Sequence, residues 1–347
     1  MSLEEVRALA HTAGYEIIEI FRTRYRNRIG SGLLERISYM SEEADTIIFY
    51  GNPSPSTVFQ LMKATRKPVV DRVQLILEIF ARHAGSREAK LQIEMARIKH
   101  ELPLVREYIR RSKMGEYPGF LGPGRYAVDA YYRHLTSKLA RIRRQLEKLK
   151  DTRRLRRNAR RRLGLPQAAI VGYASAGKTS IFNALSGESK PVGEEYFTTL
   201  HPKHKLVTGK HGRIVLVDTV GFIRDIPPEI IEAFYATLEE IVDSDTIIFV
   251  VDISEPLDTI REKVVSGLDI MARIGAVGKP VIVAANKMDL TDPSHAGKAI
   301  SIIRKILDER GIENTVIPVS AMTGEGLERL LEVSTKKAYP KSLHERG

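Results

Sequence analysis

Short, uninterrupted apolar runs recur through the second half of the chain. They cover residues 168–171, 214–217, 281–285 and 316–319. Runs of this length, without polar alternation, are typical of strands buried on both faces, as in a parallel sheet. The pattern therefore predicts an α/β domain with a largely parallel sheet in this part of the chain.

Two stripes of apolar residues with alternating spacings of three and four precede this domain. They consist of Leu91, Met95, Ile98, Leu102, Val105 and Ile109, and of Leu135, Leu139, Ile142, Leu146 and Leu149. This is the spacing of helices that pair along one apolar face. The stripes predict an antiparallel coiled-coil hairpin, the alternative being helices packed on a globular core. Residues 114–124, rich in glycine and proline, predict an exposed connecting loop that either contacts RNA or only connects.

The first part of the chain has a third pattern. Residues 15–21, 46–49 and 68–70 are apolar enough to predict strands, with helical stretches between them. This β-α-β-α-β order predicts a small parallel sheet. The pair Gly30 and Gly32 lies where a helix is expected to begin, and it is either an ordinary turn or an anion-binding turn.

The net charge of +12 is concentrated in one segment. Residues 138–162 hold 13 Lys or Arg against two acidic residues, so this segment carries nearly all of the excess. Such clustering favours a contact with nucleic acid over a merely solvated helical face, and an anionic membrane surface is the remaining alternative.

Composition excludes several classes of protein. With no cysteine, the chain has no disulfide, no thiolate metal site and no cysteine nucleophile. No apolar run approaches the ~18 residues that a membrane-spanning helix needs, and the N-terminus does not resemble a signal peptide. We therefore expect a cytoplasmic protein, monomeric, whose 347 residues form about two domains of ordinary size.

The first chemical motif follows the run at residues 168–171. It has the form Gly-x-x-x-x-Gly-Lys-Thr, a phosphate loop in which backbone N–H groups and the start of the next helix surround phosphates. Lys178 is expected to reach the β- and γ-phosphates, and the Thr179 hydroxyl to bind Mg²⁺. The predicted nucleotide contacts of this loop are Gly172, Ser175, Ala176, Gly177, Lys178, Thr179 and Ser180.

A second motif, Asp218-Thr-Val-Gly221, ends the run at residues 214–217. Asp218 is the expected carboxylate on the metal side, and the Gly221 N–H the expected contact to the γ-phosphate. Thr199 is the preferred threonine for a second hydroxyl on Mg²⁺ when a nucleoside triphosphate is bound. The predicted metal-binding set is thus Thr179, Thr199 and Asp218, and the catalytic set Lys178, Thr199 and Gly221. Phe222 stands where Ras-like enzymes carry a glutamine that orients water, so we expect slow hydrolysis or help from a partner.

The base is selected by the motif Asn286-Lys287-Met-Asp289 and by Ser320-Ala321. The Asp289 carboxylate can accept two hydrogen bonds from N1 and N2 of guanine, which adenine cannot offer. Lys287 is expected to lie over the base, Asn286 to brace the phosphate loop, and the Ala321 N–H to meet guanine O6. The four motifs together predict GTP and GDP as ligands, with Mg²⁺.

The chain resembles the HflX family of ribosome-associated GTPases. The resemblance rests on residues 29–32, 44–49, 89–94, 122–124 and above all 218–224, and extends roughly from residue 16 to 332. It implies an N-terminal domain and a helical hairpin beside a GTPase domain, GTP hydrolysis, and binding to the large ribosomal subunit. Some members are implicated in splitting ribosomes.

Two departures from the family pattern concern its N-terminal part. Leu33 replaces the lysine common after the second glycine, which weakens the case for a separate nucleotide site there. Arg125 replaces the usual glutamate after Gly-Pro-Gly, so the contact made by that loop is expected to differ.

Together, pattern and resemblance predict a P-loop GTPase domain of the Ras-like α/β type preceded by two smaller parts. We expect an N-terminal α/β domain at residues 1–84, a basic helical hairpin at 85–163, the GTPase domain at 164–338 and a tail at 339–347. The hairpin and N-terminal domain are the expected contacts to ribosomal RNA. The rival hypotheses are a GTP-binding adaptor acting through protein or membrane partners, and a GTP-dependent RNA-modifying enzyme.

Overall fold

The computed structural model describes residues 3–23, 29–113, 125–162, 164–187, 203–219, 221–222 and 235–339. Thr199 and the loop at residues 114–124 lie outside the described residues. The described residues form two compact units, the first reaching Lys150 and the second starting at Asp151. No helix in these ranges is long and apolar enough to cross a membrane.

The described helices and strands follow one another in chain order as two series. The helices are α1 (Leu3–Thr12), α2 (Ser31–Met40), α3 (Pro55–Thr65), α4 (Arg72–His83), α5 (Arg87–Lys113), α6 (Arg125–Arg162), α7 (Lys178–Ser186), α8 (Tyr235–Asp243), α9 (Leu257–Arg273), α10 (Pro293–Glu309) and α11 (Leu327–Ala338). The strands are β1 (Ile47–Phe49), β2 (Val69–Asp71), β3 (Gln167–Gly172), β4 (Lys203–Gly209), β5 (Gly212–Asp218), β6 (Thr246–Asp252), β7 (Val281–Asn286) and β8 (Val316–Pro318).

The first unit contains a small parallel sheet. β1 and β2 pair in parallel, with Ile47 opposite Val69, which confirms two of the three strands predicted there. The predicted strand at residues 15–21 is wrong, since the structure assigns that stretch to no strand. Phe21, which is partly buried, instead packs by its side chain against the cluster of Ile37, Phe49 and Leu61.

The two predicted helices of the hairpin pair through their apolar stripes. The buried contact residues are Ile98, Val105, Leu135, Leu139 and Ile142. Lys138 forms an ion pair with Glu94, and Tyr131 donates a hydrogen bond to Glu101 at 2.6 Å. Since the higher-numbered partner on α6 meets the lower-numbered one on α5, the helices run antiparallel, as predicted.

Helix α5 also packs on the α/β part of its unit. The rings of Phe59 on α3 and Tyr108 on α5 have centroids 5.4 Å apart. The His100 ring nitrogen lies 2.5 Å from a carboxylate oxygen of Asp71, which also caps α4. The hairpin is thus both a helix pair and part of a larger core.

The second unit is built on one six-stranded sheet. Its strand order is β4-β5-β3-β6-β7-β8, with β4 antiparallel to β5 and every other pair parallel. Alternate residues of a strand face opposite sides. Ile248 and Val250 accordingly join a core with α7 and α11, whereas Phe249 contacts Gly267 of α9. Helices on both faces explain the uninterrupted apolar runs, and all four strands predicted for this part are confirmed.

Candidate nucleotide-binding site

The predicted motifs meet at one edge of the six-stranded sheet. β3 ends at Gly172, β5 at Asp218 and β7 at Asn286, and these strands are parallel. The carboxyl ends of parallel strands lie at the same edge, where open α/β sheets bind their ligands. The topology therefore brings the phosphate-loop, Asp218 and Asn286 motifs together.

The phosphate loop joins β3 to α7, which begins at Lys178. Ser175 has φ +62° and Gly177, the residue before the helix, has φ +92°. A Cβ on Gly177 would collide with Nδ2 of Asn286, and one on Gly172 would collide with the carbonyl of Val250. The glycines are thus required by close packing, and the loop leads into a helix N-terminus whose dipole favours phosphate.

Lys178 is buried within this loop. Its Nζ donates a hydrogen bond to the Tyr173 carbonyl at 2.7 Å. Burial lowers the pKa of Lys178 to about 8, opposed by the Asp218 carboxylate and assisted by the positive charge of Lys263. A desolvated ammonium beside a helix N-terminus is a site at which an anionic phosphate would restore lost solvation.

Asp218 and Thr179 provide an oxygen-rich corner beside Lys178. Asp218 is fully buried, and the Thr179 hydroxyl donates to its carboxylate at 3.0 Å. A hydroxyl and a carboxylate are hard oxygen donors of the kind that Mg²⁺ prefers, alongside phosphate oxygens and water. In the described ranges no three His, Asp or Glu side chains cluster as a metal site.

Gly221 and Phe222 lie directly against the phosphate loop. The Phe222 N–H donates to the Gly172 carbonyl at 2.8 Å, and the Ala174 N–H donates to the Phe222 carbonyl at 3.0 Å. The Phe222 side chain is 1% exposed and meets the Tyr173 ring edge-on. At the position of the missing glutamine, the side chain is therefore buried in the fold.

Asn286 links the phosphate loop to the Ser320-Ala321 loop. Its Nδ2 donates to the Ala176 carbonyl at 2.8 Å, and its Oδ1 accepts from the Ala321 N–H at 3.1 Å. The bracing expected of Asn286 thus has a direct counterpart. The Ala321 N–H, expected to meet guanine O6, here donates to Asn286.

The remaining base-motif residues lie beside this link. The Asp289 carboxylate is exposed and accepts a hydrogen bond from the Ser320 hydroxyl at 2.6 Å. Lys287 has φ +71°, and its ammonium pairs with Asp252 at 2.6 Å. These contacts within the protein orient the Lys287 stem and the Asp289 carboxylate without a bound base.

Two residues at the site, Asp252 and Lys263, were not identified from the sequence. Asp252 ends β6 and holds Lys287, and the run Thr-Ile-Ile-Phe-Val-Val before it is a strand signal that could have located it. Lys263 lies over the Tyr173 ring at 5.6 Å from its centroid. No local sequence pattern predicts that contact, because it joins helix α9 to the phosphate loop, which are far apart in sequence.

Comparison with known proteins finds matches along most of the chain. Family models match it in three parts: "GTP-binding GTPase N-terminal" over residues 1–81, "GTP-binding GTPase Middle Region" over 83–160, and "50S ribosome-binding GTPase" over 167–287. GTPase HflX of Hyperthermus butylicus is 49% identical, with 95% of this chain and 90% of that protein covered. GTPase HflX of Thermococcus kodakarensis is 39% identical, with 96% and 76% covered.

Solved structures agree. A GTP-binding protein from Sulfolobus solfataricus in complex with GDP is 31% identical, with a TM-score of 0.51 and with 96% of this chain and 93% of that chain covered. A crystal structure described as the SsGBP and GDP complex is 32% identical, with a TM-score of 0.56 and the same coverage. The motifs, the sheet and these relatives agree: the chain belongs to the HflX family of GTPases and is a GTP hydrolase.

Proposed function

We propose that this GTPase works with Mg²⁺ in the cytoplasm, as a monomer, and associates with the large ribosomal subunit, where ribosome splitting is one outcome to test. The observation that carries the ribosomal part is the match of residues 167–287 to a family described as a 50S ribosome-binding GTPase. The concentrated positive charge at residues 138–162 supports it.

Hydrolysis requires that charge on the transferred phosphoryl group be stabilised while water attacks. In this proposal Lys178 contacts the β- and γ-phosphates, and the Gly221 N–H contacts the γ-phosphate. Thr179, Asp218 and Thr199 hold Mg²⁺, which neutralises charge on the phosphate oxygens when bound. The hydrogen bond from Thr179 to Asp218, which places the hydroxyl beside the carboxylate, supports the assignments of these two residues.

Guanine recognition is assigned to the loop around Asp289. The carboxylate is exposed at the site and its direction is set by Ser320. A bound base would cover this carboxylate. Adenine would leave it without its two donors, and a covered polar group that is left unpaired costs about 1–3 kcal/mol. This supports discrimination of GTP from ATP by Asp289, with Lys287 beside the base.

Partner assistance is proposed because of Phe222. A phenyl ring makes no hydrogen bond to water, and this ring is buried against Tyr173. A GTPase without a water-orienting group hydrolyses slowly. We therefore expect the ribosome to supply or induce the missing element.

The RNA contact is assigned to helix α6, which carries the basic segment, and to the first unit. Salt-dependent binding is the test, because contacts to phosphates release counterions. Sedimentation with purified large and small subunits at several salt concentrations should show binding to the large subunit. Affinity should fall by about 0.7–0.9 log units per decade of salt for each phosphate contact.

A charge-deletion variant sharpens this test. Replacing Arg153, Arg154, Arg156 and Arg157 with glutamine should weaken ribosome binding and flatten the salt dependence, while GTP affinity stays unchanged. The matched control removes four exposed charges from the second unit: Lys298, Arg304, Lys305 and Arg329. Ribosome binding that is equally reduced in both variants would refute a specific role of the basic segment. Salt-insensitive binding, or none, would favour an adaptor that uses protein or membrane partners.

A further inference from the structure

Three side chains form a stack beside the phosphate loop, all within the second unit. The Lys263 ammonium lies over the Tyr173 ring, 5.6 Å from its centroid. The Phe222 ring also contacts the Tyr173 ring, edge-on, with centroids 6.1 Å apart and ring planes at 85°. This edge-on geometry is a favoured one for aromatic pairs, and a cation over a ring face adds attraction.

The backbone reinforces the stack. Tyr173 and Phe222 form a parallel bridge, with hydrogen bonds of 2.8 Å from the Phe222 N–H to Gly172 and 3.0 Å from the Ala174 N–H to Phe222. The bridge extends the pairing of β3 with β5, in which Ile170 lies opposite Asp218. Phe222 is thereby docked on the phosphate loop.

Docking brings Gly221 against Lys178. A Cβ on Gly221 would lie 2.8 Å from the Lys178 Nζ and 3.1 Å from the Cα of Ala174. The same ammonium donates to the Tyr173 carbonyl. In the proposed complex the γ-phosphate lies between the Lys178 ammonium and Gly221. The space between them does not hold even a Cβ at ordinary contact distance, so a phosphate group there requires the two residues to separate. GDP has no γ-phosphate and makes no such demand.

We propose that the stack of Lys263, Tyr173 and Phe222 sets the ratio of GTP to GDP affinity by stabilising the docked position of Gly221. This inference rests on the proposed phosphate contacts of Lys178 and Gly221. Displacing Gly221 strains the contacts that hold the adjacent Phe222 on the loop. The stack therefore disfavours the triphosphate and leaves the diphosphate unaffected.

Lys263 is held in place for this role. It forms an ion pair with Glu255, in the turn before α9, and its side chain is 19% exposed. The charge of Lys263 by itself would attract the more anionic GTP. Its position on the Tyr173 ring acts in the opposite direction, because it stabilises the ring against which Phe222 docks. The two effects predict opposite changes in the GTP-to-GDP affinity ratio when Lys263 is replaced, so a substitution of Lys263 distinguishes them.

The test measures affinities for GDP and for a non-hydrolysable GTP analogue by calorimetry. Tyr173→Leu and Phe222→Leu each remove the aromatic pair and should raise the GTP-to-GDP affinity ratio about two- to tenfold, at unchanged GDP affinity. The double variant should show no larger rise than either single variant, because both delete the same contact. Tyr173→Phe keeps the ring pair and should retain the ratio of the unchanged protein.

Two further comparisons guard against general loosening of the fold. Phe249→Leu shortens another fully buried ring of the same sheet and should leave the ratio unchanged. Lys263→Met, a change at a partly exposed side chain, should raise the ratio, whereas Lys263→Arg keeps a cation over the ring and should not. A lower ratio in Lys263→Met would show that only its charge matters and would overturn the inference.

The remaining outcomes separate the two proposals. If Phe222→Leu and Tyr173→Leu still bind GDP and keep the GTP-to-GDP affinity ratio of the unchanged protein, the proposed role of the stack is refuted and the phosphate contacts are not. A rise of equal size in Phe249→Leu would do the same. If Lys178→Met left the affinity for both nucleotides unchanged, the proposed phosphate contacts would fail instead.

Discussion

Replacing Asn286 tests whether the link between the two loops controls nucleotide binding. The side chain is 2% exposed and makes one hydrogen bond to each loop, to the Ala176 carbonyl at 2.8 Å and from the Ala321 N–H at 3.1 Å. A hydrogen bond contributes about 1 kcal/mol net, and a buried group left unpaired costs about 1–3 kcal/mol. Asn286→Ala removes both bonds, so the free energy of unfolding of the second unit should fall by about 2–4 kcal/mol.

Nucleotide affinity should fall as well, because binding must then re-form the loop arrangement. If re-forming the loop arrangement takes about 1.4 kcal/mol from the free energy of binding, affinity for GDP and GTP falls about tenfold. Chemical unfolding and calorimetric titration measure the two quantities separately. Asn314→Ala is the matched control, because Asn314 is an exposed asparagine of the same unit whose side-chain amide contacts the Asp308 carboxylate at 3.3 Å.

Asn286→Asp separates the two bonds. The aspartate keeps an acceptor for the Ala321 N–H but turns a second oxygen toward the Ala176 carbonyl, so two acceptors face each other. Burial and this carbonyl raise the pKa of the new carboxyl in the folded state. Its destabilisation is therefore absent below the unfolded pKa of about 3.9 and grows as the pH rises through the folded value. The deficit relative to the unchanged protein should shrink from pH 7 to pH 4. An Asn286→Ala variant that unfolds and binds GDP like the control would refute the reasoning.

Three further predictions concern the site. Asp289→Asn replaces an acceptor for guanine and should weaken GTP binding by about 1.5–3 kcal/mol in calorimetry, and equal affinity would contradict the assignment. Turnover of the isolated protein should be on the order of 10⁻⁴–10⁻² s⁻¹ and rise on adding large ribosomal subunits, whereas fast turnover that ribosomes do not change would contradict partner assistance. The pKa of Lys178 in the folded protein is about 8, below the ordinary 10.5. Its burial therefore destabilises the protein fully below pH 8 and progressively less up to pH 10.5. In denaturant titrations Lys178→Met should be more stable than the unchanged protein by up to about 3 kcal/mol at pH 7, and this difference should vanish near pH 10.5. A difference in stability that does not change with pH would count against the argument.

The sequence predicted those parts of the fold that local periodicity determines. Apolar runs located β3, β5, β7 and β8 because strands buried on both faces need no polar alternation. The stripes of Ile98 and Leu139 located the hairpin because apolar faces must be covered. The strand prediction for residues 15–21 was wrong because apolar content indicates that a segment packs on a core without showing which backbone partners it has.

The motifs predicted the composition of the site more fully than its internal contacts. Gly177, Asp218 and Asn286 lie together because parallel strands end at one edge, a consequence of fold class. The pairing of Lys287 with Asp252 depends instead on how two separate segments pack. Such contacts join residues with no fixed spacing in sequence, so a sequence pattern does not reveal them.

The position of Phe222 connects two proposals, slow intrinsic hydrolysis and control by a partner. Burying a phenylalanine side chain stabilises a fold by about 1.5–3 kcal/mol, and here the ring is 1% exposed. A glutamine at this position would instead favour solvent and could turn toward an attacking water at little cost. Phenylalanine thus makes the docked position the stable one and makes departure from it costly. A partner that binds the undocked arrangement would supply that free energy, so that hydrolysis would be coupled to binding of the partner.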